Sequence, residues 1–69
     1  MRTLRKRLKE KRVECGYTQK TFAEFSGMSM RTYQNIEQSV CFPRKKNREL
    51  IMRIFEDHSL ALFDEEDSN

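Results

Sequence analysis

At 69 residues the chain is one domain at most, near the lower limit of what a single core can stabilise, with no room for a large internal active site. All 14 Lys and Arg lie in residues 1–55 with five acids, a net +9, whereas residues 56–69 carry the other six acids and no base, a net −6. A basic body with an acidic end fits a polyanionic partner or, as readily, a charged surface that keeps a small protein in solution.

No apolar run is long enough to cross a bilayer, and no apolar stretch follows the basic N-terminus as it would in a secretory leader. A cytoplasmic setting without membrane contact is expected. Cys15 and Cys41 are far apart and match no metal-ligand spacing, so they read as free thiols in a reducing compartment. A redox role for Cys41 would need an exposed loop position. His58 stands alone. Without a nucleophile–base pair, a metal cluster or a phosphate-binding glycine loop, the sequence supports no enzyme, cofactor or metal site.

Residues 3–15 read as a first helix, with Leu4, Leu8, Val13 and Cys15 near one stripe and basic residues around the rest. Gly16 ends it as a C′ glycine. Thr18 is an N-cap for a second helix whose buried side is expected to hold Phe22, Ala23, Phe25 and Ser26, and Gly27 closes it. Ser29 caps a third helix over residues 30–38, so a very tight turn joins two short helices. Tyr33 and Ile36 face inward with Met28; Met30, Arg31, Gln34 and Asn35 follow the i, i+1, i+4, i+5 pattern of the opposite face. Pro43 bounds the loop 39–43. A fourth helix covers residues 46–56, with Leu50, Ile51, Ile54 and Phe55 apolar and Met52 in the core. A short fifth helix or turn over 59–63 starts at Ser59, and the acidic tail 64–69 is expected to be disordered. No strand pattern is visible. The expected class is all-α, with a domain over 1–63.

The positions between 19 and 37 have steric reasons. Ala23 lies where two helices cross and a large side chain would separate them. Gly27 takes a turn that needs positive φ. Tyr33 and Ile36 anchor the third helix to the second. This leaves the outer face of residues 30–35 free to enter a groove.

The order and spacing of Gly16, Thr18-Gln19, Ala23, Gly27 and Ile36-Glu37 resemble the helix-turn-helix family of lambda-type phage repressors, Cro proteins and related bacterial regulators, over residues 4–63. The resemblance implies a compact five-helix domain that binds a two-fold symmetric operator in double-stranded DNA as a homodimer, in a bacterial or phage-infected cell. It implies that Arg12 and Glu37 form a partly buried ion pair, that Gln19 contacts a phosphate and braces the third helix, and that Met30, Arg31, Gln34 and Asn35 face the bases. The chemistry is consistent: Arg31 suits guanine O6 and N7, Gln34 or Asn35 suits adenine N6 and N7, and Met30 suits a thymine methyl.

Ser29, Thr32, Lys20, Arg44, Lys45 and Lys46 are the expected phosphate contacts. Arg5 and Lys9 are either further phosphate contacts or part of a solvated face. Leu60, Leu62 and Phe63 either form a two-fold interface or cover the underside of the first helix.

Three positions depart from the family pattern. Tyr33 replaces a branched aliphatic, Gln38-Ser39 replaces a frequent Asn-Gly, and the third helix carries Arg31 as its one base. The expected function is transcriptional control by operator occupancy, with Glu24 a candidate for contact with RNA polymerase. The rival is an antitoxin-like module in which Asp64-Glu65-Glu66-Asp67 holds a toxin-like protein and DNA binding is autoregulatory.

Overall fold

The computed structural model describes residues 3–64 and 66–67, with side chains over residues 4–64. Its helices are α1 (Lys6–Glu14), α2 (Gln19–Ser26), α3 (Met30–Glu37) and α4 (Lys45–Phe55), followed by a 3-10 helix, Leu60–Phe63. Two-residue strands β1 (Thr3–Leu4) and β2 (Glu66–Asp67) pair antiparallel. The architecture is all-helical apart from this short ladder. The α-helices number four among the described residues and not the expected five: at the fifth position the chain makes only a 3-10 turn, which Ser59 caps by accepting from the Ala61 amide.

All four α-helices stop the same way. After each, one residue turns left-handed and two backbone bonds close over the last carbonyls. At α1 Tyr17 N–H donates to Arg12 at 3.0 Å and Gly16 N–H to Val13 at 2.9 Å; at α2 Met28 N–H donates to Ala23 at 3.0 Å. At α3 the wider bond runs from Val40 to Asn35 at 2.9 Å, and at α4 from Asp57 to Met52 at 3.0 Å. The left-handed residues are Gly16 (φ 86°), Gly27 (φ 78°), Ser39 (φ 62°) and Glu56 (φ 54°). A Cβ at Gly27 would meet nothing within 4 Å, so positive φ and not lack of space calls for glycine there. Ser39 and Glu56 hold the same conformation with a side chain, at a cost of about 1–2 kcal/mol each.

The helix starts are equally local. Thr18 and Thr21 satisfy each other's amides at α2, and Ser29 accepts from Thr32 N–H at α3. One core then gathers Leu8, Phe22, Ala23, Tyr33, Ile36, Ile51, Met52, Phe55, Leu62 and Phe63. Phe22 is its centre, with ring centroids 4.8 Å from both Tyr33 and Phe55 and 5.4 Å from Tyr17.

Several expectations need correction. Thr3–Leu4 is extended and α1 starts at Lys6, because the Arg5 amide bonds to the Glu37 carbonyl at 2.9 Å instead of entering a helix. The inward stripe of α1 is Leu8 and Arg12; Val13 is 58% exposed and Cys15 is an exposed cap residue. Phe25 is 65% exposed, since only the arc running from Phe22 to Ala23 faces the core in so short a helix. Leu62 and Phe63 are core residues, 1% and 4% exposed, so of the three candidate dimer residues Leu60 alone, at 67%, lies on the surface. Within the acidic tail, Glu66–Asp67 are paired with β1, whereas Glu65, Ser68 and Asn69 lie outside the described residues.

Arg5 is the largest departure. Expected on a basic surface, it is fully buried. Its Nε donates to the Phe63 carbonyl at 3.1 Å, and its Nη1 donates to the carbonyls of Ile36 and, at 2.8 Å, Cys41. The guanidinium carbon lies 5.5 Å from the centre of the Phe42 ring. A planar five-donor group can tie these segments together, and the end of α3 offers it the negative pole of a helix.

Candidate nucleic-acid interface

The site begins with the α2–α3 pair. Ala23 at 1% exposure lets the helices approach, and the Gly27 reversal leaves only Met28 and Ser29 before α3. Tyr33 and Ile36 bury the inner side of α3. On its outer side Arg31 is exposed, Met30 is 44% exposed, and Gln34 and Asn35 are half-buried. The four expected base-facing residues therefore share one accessible face. Ser29 Oγ accepts from Thr32 N–H at 3.1 Å and lies 2.8 Å from Thr32 Oγ1, so its oxygen already serves the cap.

A polar chain runs beneath that face. Arg12 Nε donates to Glu37 Oε2 at 2.9 Å and Nη2 to Oε1 at 3.3 Å, a two-point pair whose side chains are 8% and 2% exposed. Arg12 Nη1 also donates to the Tyr17 carbonyl at 2.7 Å. Burial disfavours the Arg12 charge, but the hydrogen bond and charge of Glu37 outweigh it and hold the guanidinium above its ordinary pKa. Removing one partner of such a pair costs about 3–5 kcal/mol, because the other charge stays buried and uncompensated. Glu37 Oε1 accepts from Gln19 Nε2 at 3.2 Å, and Gln19 Oε1 accepts from Gln34 Nε2 at 3.2 Å. The chain thus reaches from the α1 scaffold to the outer face of α3.

The Tyr33 hydroxyl is buried next to this pair and has no hydrogen-bond partner among the described residues. Burial first, and then the Glu37 carboxylate, push its phenol far above the ordinary value.

Exposed cations gather in two places. Lys9 and Lys20 line one shallow groove together with Val13, Tyr17, Gln19 and Met30. Exposed Arg44, Lys45 and Lys46 sit at the start of α4, whose first turn has no acid and whose N-cap, Arg44, makes no side-chain cap bond. That end combines three positive charges with the positive pole of a helix, an arrangement that an anion relieves. Arg5 belongs to neither group. Arg48 lies over the Phe42 ring at 5.1 Å and donates to the Pro43 carbonyl at 2.7 Å, bracing the loop before α4.

A sequence model of a family described as helix-turn-helix matches residues 8–52, the stretch from the core face of α1 into α4. The chain belongs to the helix-turn-helix family of the lambda repressor and Cro type. No curated protein and no solved structure matches it. Membership makes the chain a DNA-binding transcription regulator, in a family that is generally non-enzymatic. Among the described residues no helix is long and apolar enough to cross a membrane, and no group of three His, Cys, Asp or Glu is placed to hold a metal ion.

Arg5 is not legible in the sequence, because its burial depends on carbonyls at positions 36, 41 and 63 and leaves no periodic mark. Nor are Ser39 and Glu56 legible as left-handed caps. The absence of glycine concealed them, although Ser39 fills the position where the family often has one.

Proposed function

We propose that the protein controls transcription by occupying a two-fold symmetric operator as a homodimer, with α3 in the major groove and no chemistry on the DNA. The observation that carries this reading is the outer face of α3, where Met30, Arg31, Gln34 and Asn35 stand together on a helix whose other side is locked in the core. Arg31 supplies the fork that matches guanine, Asn35 and Gln34 supply amides that match adenine, and Met30 packs on a thymine methyl. Lys20, Arg44, Lys45 and Lys46, with Gln19 and Thr32, hold phosphates and set the register without reading sequence. Leu60 is the residue of the C-terminal segment offered to a second copy. Two such copies place their α3 helices about one DNA turn apart, roughly 34 Å.

Selection from a random duplex library at defined salt tests the reading. Enrichment of a two-fold symmetric site supports it, and no enrichment over random DNA sinks it. Arg31→Ala and Asn35→Ala are expected to lose preference for the selected site while keeping most non-specific affinity. Equal losses on selected and random duplexes remove these residues from the base-reading face.

A further inference from the structure

We infer that the buried Arg12–Glu37 pair sets which purine Gln34 accepts, by dictating the direction of the hydrogen bonds that link Glu37, Gln19 and Gln34. The inference rests on the reading of α3 as the base-contacting helix, and assigns a role in base choice to Glu37 and Gln19, which touch no base themselves. Its starting point is chemical. An ionised carboxylate only accepts hydrogen bonds, whereas a glutamine amide presents an acceptor at one corner and two donors at the other. Glu37 Oε2 is held by Arg12 Nε, and its Oε1 receives both Arg12 Nη2 and Gln19 Nε2. The Gln19 amide must therefore point its nitrogen at Glu37. Its oxygen is then left to face α3, where it meets the nitrogen of Gln34. One ionised group thus orients two amides in series.

The orientation decides what Gln34 has left to offer. With one N–H committed to Gln19, it retains one donor and its oxygen, side by side. Adenine presents a matching pair in the major groove, the N6 donor and the N7 acceptor; guanine presents two acceptors, O6 and N7. If the relay ran in the opposite sense, Gln34 would turn its oxygen to Gln19 and offer two N–H groups, the guanine-compatible state. Glu37 forbids that sense because it has no proton to give. Glu37 and Gln19 are thus positioning residues for purine choice.

The test is selection from a random duplex library followed by competition between duplexes that differ only at the position Gln34 reads, with the full chain throughout. Gln34→Ala locates that position as the one whose preference it abolishes. The wild type is expected to favour adenine over guanine there by on the order of tenfold or more. Gln19→Ala keeps the Arg12–Glu37 pair and frees the Gln34 amide to turn either way, and should lower the ratio by about threefold or more, because the amide can then also offer two N–H groups to guanine. Glu37→Gln, which can both give and accept a hydrogen bond, should do the same. If Glu37→Gln does not fold, Gln19→Ala decides alone. The readout is the ratio between two duplexes and not overall affinity, so weaker phosphate binding by Gln19→Ala lowers both alike and does not imitate the effect.

A wild-type preference for guanine, or an adenine preference that Gln19→Ala leaves intact, overturns the inference while operator recognition stands. A Gln34→Ala variant that selects the unchanged site overturns it in the same way. Failure of the wild-type protein to select any site removes instead the reading on which the inference rests.

Discussion

Arg5 and Phe63, 58 positions apart, are joined by a 3.1 Å hydrogen bond from the buried Arg5 Nε to the Phe63 carbonyl. The same guanidinium reaches the carbonyls of Ile36 and Cys41, and the Arg5 amide reaches Glu37. One side chain therefore ties the N-terminal segment, the end of α3, the following loop and the 3-10 turn to each other.

Arg5→Ala is expected to destabilise the domain by about 3 kcal/mol or more, since hydrogen bonds to a charged group are worth roughly 1.5–3 kcal/mol each and three of them are lost. Arg5→Lys should recover little, because a point ammonium cannot fork among acceptors on three segments. Thermal unfolding of both variants checks this. A lysine variant as stable as wild type would show that charge alone, and not the fork, is what the site needs.

Ser39 makes the opposite prediction. It holds a left-handed backbone, and its hydroxyl is buried without a partner among the described residues. Ser39→Gly relieves both and gives back part of the gain through the greater freedom of glycine in the unfolded chain, leaving a net stabilisation of about 1 kcal/mol. For a domain of this size the melting temperature should rise by roughly 4–8 °C. Ser39→Ala keeps the Cβ at positive φ and should gain less. A lower melting temperature for Ser39→Gly would show that the cap is not strained.

Alkaline pH should expose Tyr33. Burial and the Glu37 charge raise its phenol pKa in the folded protein above the ordinary 10.0. The folded state thus keeps the proton while the unfolded chain releases it, so the stability linked to Tyr33 is complete below pH 10 and falls as pH rises beyond it. The limiting slope is about 1.4 kcal/mol per pH unit for this one group. Tyr33→Phe should remove that component, and the difference between the two proteins in denaturant midpoints across the alkaline range isolates it. Parallel curves would mean that Tyr33 ionises as readily folded as unfolded.

Lys45, exposed in the first turn of α4, tests the phosphate assignment. Lys45→Ala is expected to weaken binding to operator and random DNA alike and to reduce the slope of log affinity against log salt by about 0.9, the value for one neutralised phosphate. Binding titrations at several salt concentrations give the slope, and an unchanged value removes Lys45 from the interface.

The sequence by itself determined the elements whose causes are local. Thr18 and Ser29 start helices through their own side chains, and Gly16 and Gly27 end them through their own freedom at positive φ. The alternation of Tyr33 and Ile36 with Met30, Arg31, Gln34 and Asn35 states which face of α3 is open, because helical periodicity is written in consecutive residues. Tertiary structure alone decided the rest. It buried Arg5 among carbonyls from three segments, paired Thr3–Leu4 with Glu66–Asp67, and took Leu62 and Phe63 into the core while leaving Phe25 outside. Each of these depends on groups that distant segments bring together, and a charged or apolar residue carries no local mark of which partners will reach it.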